Sequence, residues 1–308
     1  MQPEKRRLVI ILGPTGVGKS AAGVYLARRF GGEIINCDSM QVYRGFDIGT
    51  DKPTSEMRRR VPHHLLDVAE ASDQFTAADF VRQALAAVRM IEERGRLPFV
   101  VGGTGLYLKA LLDGLFPGPG RNPELRLKLE QEAGARGLQS LHRKLEEADP
   151  VYARLIGSKD KVRIIRALEV FYLTGKPLSE HFERTRSEVA DFQVFKIGLQ
   201  LERKELYRMI EERVDRMFRG GILEEVRGLL AAGVEESAPP FRALGYKHVL
   251  AHLKGTISLE EAGRLTKQDT RHYAKRQISW FRKMEGVNWL PTGDHPSLAA
   301  FLKAQFAV

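Results

Sequence analysis

The run Gly13-Pro14-Thr15-Gly16-Val17-Gly18-Lys19-Ser20 has the residue types and spacing of a phosphate-binding loop. In such a loop successive backbone N–H groups converge on phosphate oxygens, a lysine reaches the terminal phosphates, and a hydroxyl ligates Mg²⁺. Gly13, Pro14, Thr15, Gly16, Val17, Gly18, Lys19 and Ser20 are therefore expected to hold a di- or triphosphate, with Mg²⁺ on Ser20. Which phosphate compound sits there is not written in the loop, which taken alone fits ATP as well as any other.

Two further residues have chemistry in their placement. Asp38 lies just past the segment Glu33 to Asn36, which is expected to run as a strand beside the loop's own strand and leave the carboxylate facing the phosphates. A base or a metal-orienting acid belongs there; the bland alternative is a turn aspartate closing a strand. On the helix expected from about Lys204 to Phe218, Leu206, Met209, Ile210, Val214 and Met217 form one apolar arc, and Arg213 falls inside it. A guanidinium on the core side needs an anion, either a buried carboxylate or a bound pyrophosphate.

The elements that must position these groups read as α/β. Strand-like runs recur at Leu8 to Leu12, Glu33 to Asn36 and Phe99 to Val101, with helical patterns between them. That order describes a P-loop NTPase-like core, a parallel sheet flanked by helices. The segment Ala21 to Phe30 follows the loop as a helix whose positive end faces the phosphates. Thr76 and Asp79 form a capping-box pattern ahead of Phe80, Ala84, Val88 and Ile91 at helical spacing, and Gly95 suits the residue past the helix end. Gly102-Gly103-Thr104-Gly105 makes a second glycine turn at the carboxyl end of a strand, the edge where ligands bind in open sheets. Phe116 to Gly120 breaks the pattern, and from Asn122 to about Thr185 only helices are legible. Residues 121–186 are thus expected to be a mainly helical insertion domain within a core of 1–120 and 187–308. Strand character returns at Phe192 to Leu201 and again at Val287 to Leu290.

The chain has 308 residues, a single cysteine and a net charge of +10. The lone Cys37 excludes an intrachain disulfide and any multi-cysteine zinc site. The basic balance points to a polyanion larger than the phosphate, nucleic acid first and an anionic membrane surface second. Lys5-Arg6-Arg7 precede only a short apolar run, well below the roughly 20 residues of a membrane span, so a cytoplasmic, monomeric enzyme is expected. Between Arg242 and Lys283 ten basic residues face only Glu260, Glu261 and Asp269. On a helix from Arg264 to Met284, Arg264, Arg271, Lys275 and Arg282 would share one face, with His272, Tyr273, Trp280 and Phe281 interleaved as stacking groups for RNA.

With these residues in view, the chain closely resembles the tRNA dimethylallyltransferases over nearly its whole length. The resemblance rests on ordered blocks: the P-loop, then Asp38-Ser39-Met40-Gln41-Val42-Tyr43, Asp47-Ile48-Gly49-Thr50-Asp51-Lys52-Pro53 and Pro62-His63-His64-Leu65-Leu66-Asp67. Gly102-Gly103-Thr104-Gly105-Leu106-Tyr107, Arg166-Ala167-Leu168-Glu169-Val170 and Gly245-Tyr246-Lys247 near Lys275-Arg276-Gln277 complete them. Ser20 stands where many relatives carry threonine, and keeps the hydroxyl.

The resemblance implies that the loop holds the diphosphate of dimethylallyl diphosphate rather than ATP. The acceptor it implies is the exocyclic amine of the adenosine 3′ of the anticodon, in tRNAs reading codons that begin with U. It makes Asp38 the general base and Arg213 the diphosphate-binding arginine, with Lys19 on the phosphates. The tRNA-contacting positions it implies are Thr104, Arg126, Asp38-Ser39-Met40-Gln41, Val162-Arg163-Ile164-Ile165-Arg166 and Arg242-Ala243-Leu244-Gly245-Tyr246-Lys247. Three other readings remain: a small-molecule kinase, which leaves the basic C-terminal third without a purpose, an adenylate isopentenyltransferase, and a GTPase-like switch, for which no Asn-Lys-x-Asp sequence is present.

Overall fold

The computed structural model describes residues 6–116, 118–183 and 185–307. Lys5 of the basic N-terminal triplet and Pro117 of the Phe116 to Gly120 break lie outside them. The chain begins β1 (Arg6–Leu12), α1 (Lys19–Arg29), β2 (Gly32–Cys37), α2 (Ser55–Arg60), β3 (His63–His64), α3 (Ala77–Glu93), β4 (Leu97–Gly102) and α4 (Gly105–Asp113). Five helices follow: α5 (Pro123–Arg136), α6 (Leu138–Ala148), α7 (Pro150–Leu155), α8 (Lys161–Thr174) and α9 (Leu178–Glu183). The last stretch holds β5 (Phe192–Gln200), α10 (Arg203–Arg219), α11 (Ile222–Ala231), α12 (Leu244–Leu253), α13 (Leu259–Phe281), β6 (Val287–Pro291) and α14 (His295–Phe306).

The six strands form one sheet in the order β3-β2-β4-β1-β5-β6, and every pairing is parallel. This corrects the expectation that β2 runs beside the P-loop strand, because β4 lies between them. The physical reason is burial. Phe99, Val100 and Val101 give β4 two apolar faces for the middle of the sheet, whereas β2, although buried along its length, has a charge to place. β2 carries the buried Glu33, whose carboxylate meets His64 on β3 together with Arg94 and Arg96. The two-residue β3 was not legible, being too short for any periodicity.

Val9, Ile11, Phe99, Val101, Ile197 and Leu199 join α1, α10 and α14 in one core cluster. The alternate residues Leu8, Ile10, Leu12 and Val100 are equally buried and point the other way, as the pleat requires. α3 packs on β2 and β4 and contributes nothing to the first cluster. It begins at the expected capping box, with Thr76 and Asp79 each bonding the other's backbone, and ends before Gly95 at φ 66°.

The chain divides into two compact units, one of Met1–Ala110 with Asp191–Val308 and one of Leu111–Ala190. The second unit contains α5 to α9 around a core of its own that includes Leu129, Leu141, Leu145, Ile164 and Leu168. Among the described residues no helix is long and apolar enough to cross a membrane.

Candidate active site

The P-loop leaves the carboxyl end of β1 and feeds α1, whose first residue is Lys19. Its opening residue has to be glycine: at Gly13, φ is 148° and a Cβ would lie 2.7 Å from the Leu199 carbonyl oxygen of neighbouring β5. Lys19 Nζ donates to the Pro14 carbonyl at 2.8 Å, folding the side chain back over its own loop. Burial, helped by the nearby charge of Arg213, pushes the ammonium down to about 8, although Asp38, Cys37 and Asp51 pull the other way.

Arg213 enters from α10 and its side chain is only 18% exposed. Its Nη1 donates to Thr15 Oγ1 at 2.6 Å and Nη2 to the Thr50 carbonyl at 3.2 Å. Nε stands 3.1 Å from an Asp51 carboxylate oxygen without hydrogen-bond alignment. Of the two anions open at the sequence level, the carboxylate is present, but Asp51 is 57% exposed and does not bury with its partner. Asp51 holds φ at 56°, a left-handed conformation that aspartate tolerates better than most residues. Gln41 fixes that segment by donating to the carbonyls of Thr50 and Asp51 at 3.0 and 3.1 Å. Buried Lys52 pins it from below through Asp47, Asp67 and the Tyr43 carbonyl.

Asp38 lies one residue past β2. Its Oδ1 accepts from the backbone N–H groups of Met40 and Gln41 at 2.8 and 3.3 Å, which leaves Oδ2 without a hydrogen-bond partner among the described residues. Thr104, at the end of β4, stitches the two strand ends together. Its N–H donates to the Cys37 carbonyl at 3.3 Å, and its Oγ1 accepts from Ser39 N–H at 3.1 Å. The Thr104 hydroxyl proton is thus not used in that bond.

Two chambers open above the sheet edge. One, of about 280 Å³, is lined by Gly16, Gly18, Lys19, Ser20, Lys52, His63, Gly103, Arg216 and Gln277 among others. The other, of about 300 Å³, is lined mainly by Met40, Val214, Met217, Ala243, Leu244, Gly245, Thr266, Thr270 and Arg276. They share Thr15, Asp38, Arg213 and Tyr273, so the carboxylate and the guanidinium stand where the chambers meet. Burial, with the negative charge of Asp38 and Cys37 behind it, pushes the Tyr273 phenol well up, and the ring faces both chambers as a neutral hydroxyl.

Several of these residues were not singled out from sequence. Arg216 lies three residues beyond Arg213 on α10, a spacing that shares a face and could have revealed it. Tyr273 is expected from sequence as a stacking group and Gln277 belongs to the block Lys275-Arg276-Gln277, but nothing in their types marks a place beside the P-loop.

The remaining positions divide by burial. Ser39 and Met40 line a chamber, Gln41 is buried beneath it, and Arg242 and Lys247 are exposed, Lys247 paired with Asp269. Tyr246 is fully buried; its hydroxyl donates to Glu225 and accepts from Gly49 N–H at 3.1 Å. In the helical unit, Val162 is 74% exposed and Arg163 is exposed, whereas Ile164 and Ile165 belong to the core. Arg126 grips buried Glu169 through Nε and Nη2 at 2.8 and 2.9 Å, and Arg166 donates to the same carboxylate at 2.7 Å. The side chains of Tyr246, Ile164 and Ile165 are thus enclosed.

The basic stretch is less naked than its sequence. Lys247, Lys254, Arg264, Lys267 and Arg271 pair with Asp269, Glu236, Glu261, Asp215 and Glu211, acids mostly supplied by other elements. Arg264 and Arg271 are thus partly neutralised on the expected face, and Phe281 is buried rather than available for stacking. Lys275, Arg276 and the 43%-exposed Trp280 remain on the surface of α13.

The donors fit a Mg²⁺ ion. Ser20 presents an exposed hydroxyl in the chamber that Asp38 also lines. No group of three or more His, Cys, Asp or Glu suited to a metal occurs among the described residues. That is the donor set of an ion held by one or two protein oxygens, substrate phosphates and water.

The model of the family described as IPP transferase matches residues 41–284. A tRNA dimethylallyltransferase of Geobacter metallireducens is 52% identical over 94% of both chains, and one of Pelotomaculum thermopropionicum is 47% identical over 93% of this chain and 91% of that one. Among solved structures, a full-length tRNA isopentenylpyrophosphate transferase from Bacillus halodurans superposes with a TM-score of 0.72 at 40% identity, covering 98% of this chain and 97% of that one. A eukaryotic dimethylallyltransferase acting on tRNA reaches 0.82 at 30% identity, covering 97% of this chain and 77% of that one. A parallel sheet with a P-loop at its centre, a carboxylate and a guanidinium between two chambers, and these likenesses along nearly the whole chain place it in the IPP transferase family, with the tRNA dimethylallyltransferases.

Proposed function

We propose that this protein transfers a dimethylallyl group from dimethylallyl diphosphate to N6 of the adenosine 3′-adjacent to the anticodon, in tRNAs reading U-starting codons, and releases pyrophosphate. The observation that carries this reading is the meeting of the P-loop chamber with the second, less polar chamber at Asp38, Arg213, Thr15 and Tyr273. A kinase could use the same loop and the same carboxylate as a base, but it leaves the basic C-terminal third without a purpose.

An aromatic amine is a poor nucleophile. Asp38 Oδ2, free to accept a hydrogen bond, takes the N6 proton as the new C–N bond forms and the allylic C–O bond breaks. Thr104, bonded to Ser39 beside it, is placed to orient the same amine. The departing pyrophosphate gains negative charge, which the loop amides, Lys19 and Arg213 meet with donors already in place. Ser20 would hold a Mg²⁺ ion together with the diphosphate, and the ion would supply further charge neutralisation there. The adenosine has to leave its stack at a cost of roughly a few kcal/mol, which an already open anticodon loop keeps small. The anticodon stem-loop is the proposed partner, the cytoplasm the proposed compartment and the single chain the proposed working unit.

The test is direct. Incubated with Mg²⁺, dimethylallyl diphosphate and unmodified tRNA, the protein is expected to yield prenylated adenosine by mass spectrometry of the digested RNA. Phosphorylated product from ATP with no prenylated adenosine sinks the reading.

A further inference from the structure

Gln277 sits on α13 directly after the exposed Lys275 and Arg276, yet it is 6% exposed. A buried amide has to be hydrogen-bonded, and both ends of this one are. Oε1 accepts from Thr15 N–H at the tip of the P-loop at 2.8 Å, and Nε2 donates to the Gly103 carbonyl in the turn after β4, also at 2.8 Å. The approach to Gly103 is so close that a Cβ there would lie 2.6 Å from Nε2, and the amide would have to shift. One side chain from a third element therefore joins two strand ends.

We infer that Gln277 is a positioning residue for prenyl transfer, clamping the P-loop tip to the turn that carries Thr104 so that diphosphate and adenosine are held in one frame. This rests on the function proposed above. On the donor side the clamp acts through Thr15, whose hydroxyl also anchors Arg213. On the acceptor side it acts through Gly103 to Thr104, which bonds Ser39 next to Asp38. Because Gln277 takes the Thr15 amide, the phosphate cradle is left to the amides farther along the loop. Packing alone would be served by a hydrocarbon of the same length; the amide supplies an acceptor and a donor at once. Glutamate keeps the acceptor, lacks the donor while ionised, and recovers it on protonation.

Lys19, whose Nζ would lie 3.3 Å from a Gly103 Cβ, lines the same chamber as Gln277 together with Tyr273, Arg213, Arg216, Asp38, Asp51, Lys52 and His63. Any pH profile of a variant is therefore referenced to that of the parent protein. Gln277→Met is expected to lower kcat for transfer about 10- to 100-fold, the scale of a small misplacement of reacting groups, with tRNA affinity retained. Gln277→Glu is expected to match that loss at about pH 8 and to recover relative to the parent as the pH falls to about 5.5, where a buried glutamate regains its proton. Parent-like turnover in Gln277→Met, an equal loss of turnover and tRNA affinity, or no recovery in Gln277→Glu overturns the inference. If the parent makes no prenylated adenosine the functional reading fails instead, and titration with inorganic pyrophosphate still decides the clamp. Weaker binding in the Met variant with recovery in the acidified Glu variant supports it, and parent-like binding in both refutes it.

Discussion

At the scale of single residues, Asp38 and Lys19 make opposite demands on their surroundings, and each gives a measurable consequence. Asparagine at position 38 can still accept from the Met40 and Gln41 N–H groups, so the turn survives while the proton acceptor is lost. Asp38→Asn is accordingly expected to reduce single-turnover transfer by about 10²- to 10⁴-fold, the usual contribution of a positioned base, with tRNA affinity retained in a filter-binding assay. An equal collapse of binding would instead make Asp38 an RNA contact. Lys19 is held down to about 8 by burial, so the free loop loses its cation as the pH rises through that value. A bound diphosphate favours the charged form. Affinity for pyrophosphate should therefore fall above about pH 8 and binding there should take up a proton, visible by calorimetry in buffers of different ionisation enthalpy and absent from a Lys19→Gln variant.

At the scale of elements, what the sequence made legible depended on whether the signal was local. The P-loop, the α3 capping box and the apolar arc of α10 are patterns within one segment, and each stands where its pattern places it. The neighbour of β1 is decided by which strand best tolerates burial on both faces, a comparison across the chain that local pattern does not contain. The same applies to Gln277, whose role exists only because α13 passes over two strand ends, and to the acids of α10 that neutralise Lys267 and Arg271. The helical unit gives its own prediction. Burial alone would raise the Glu169 carboxyl, but hydrogen bonds from Arg126, Arg166 and Asn122 N–H outweigh it and hold it down to about 2. A depressed carboxylate stabilises the fold above its ordinary range, and that stability is lost as the pH falls from about 4.5 toward 2. Glu169→Gln should destabilise this unit by about 3 kcal/mol, the low end for breaking a buried pair because both arginines reach solvent, and should remove that acid sensitivity in thermal denaturation.

At the scale of the whole molecule, a net charge of +10 is spread unevenly once ion pairs are discounted. Lys275 and Lys283 carry no ion pair among the described residues, whereas Arg271 is held by Glu211. Charge reversal at Lys275 and Lys283 is expected to flatten the logarithmic salt dependence of tRNA binding by about 0.7 to 0.9 for each phosphate no longer neutralised, and Arg271→Gln by less. An unchanged slope returns those lysines to the role of a solvated helix face. The strand order has a consequence of its own. The phosphate loop belongs to β1 and Asp38 to β2, with β4 between them, so the two groups are set apart by two inter-strand spacings, about 10 Å. Hydrogen-bond pitch thus works as a ruler for the strand ends that carry the two groups. A donor bearing a single phosphate, short by one phosphoryl group, could then occupy the loop or reach the acceptor, but not both.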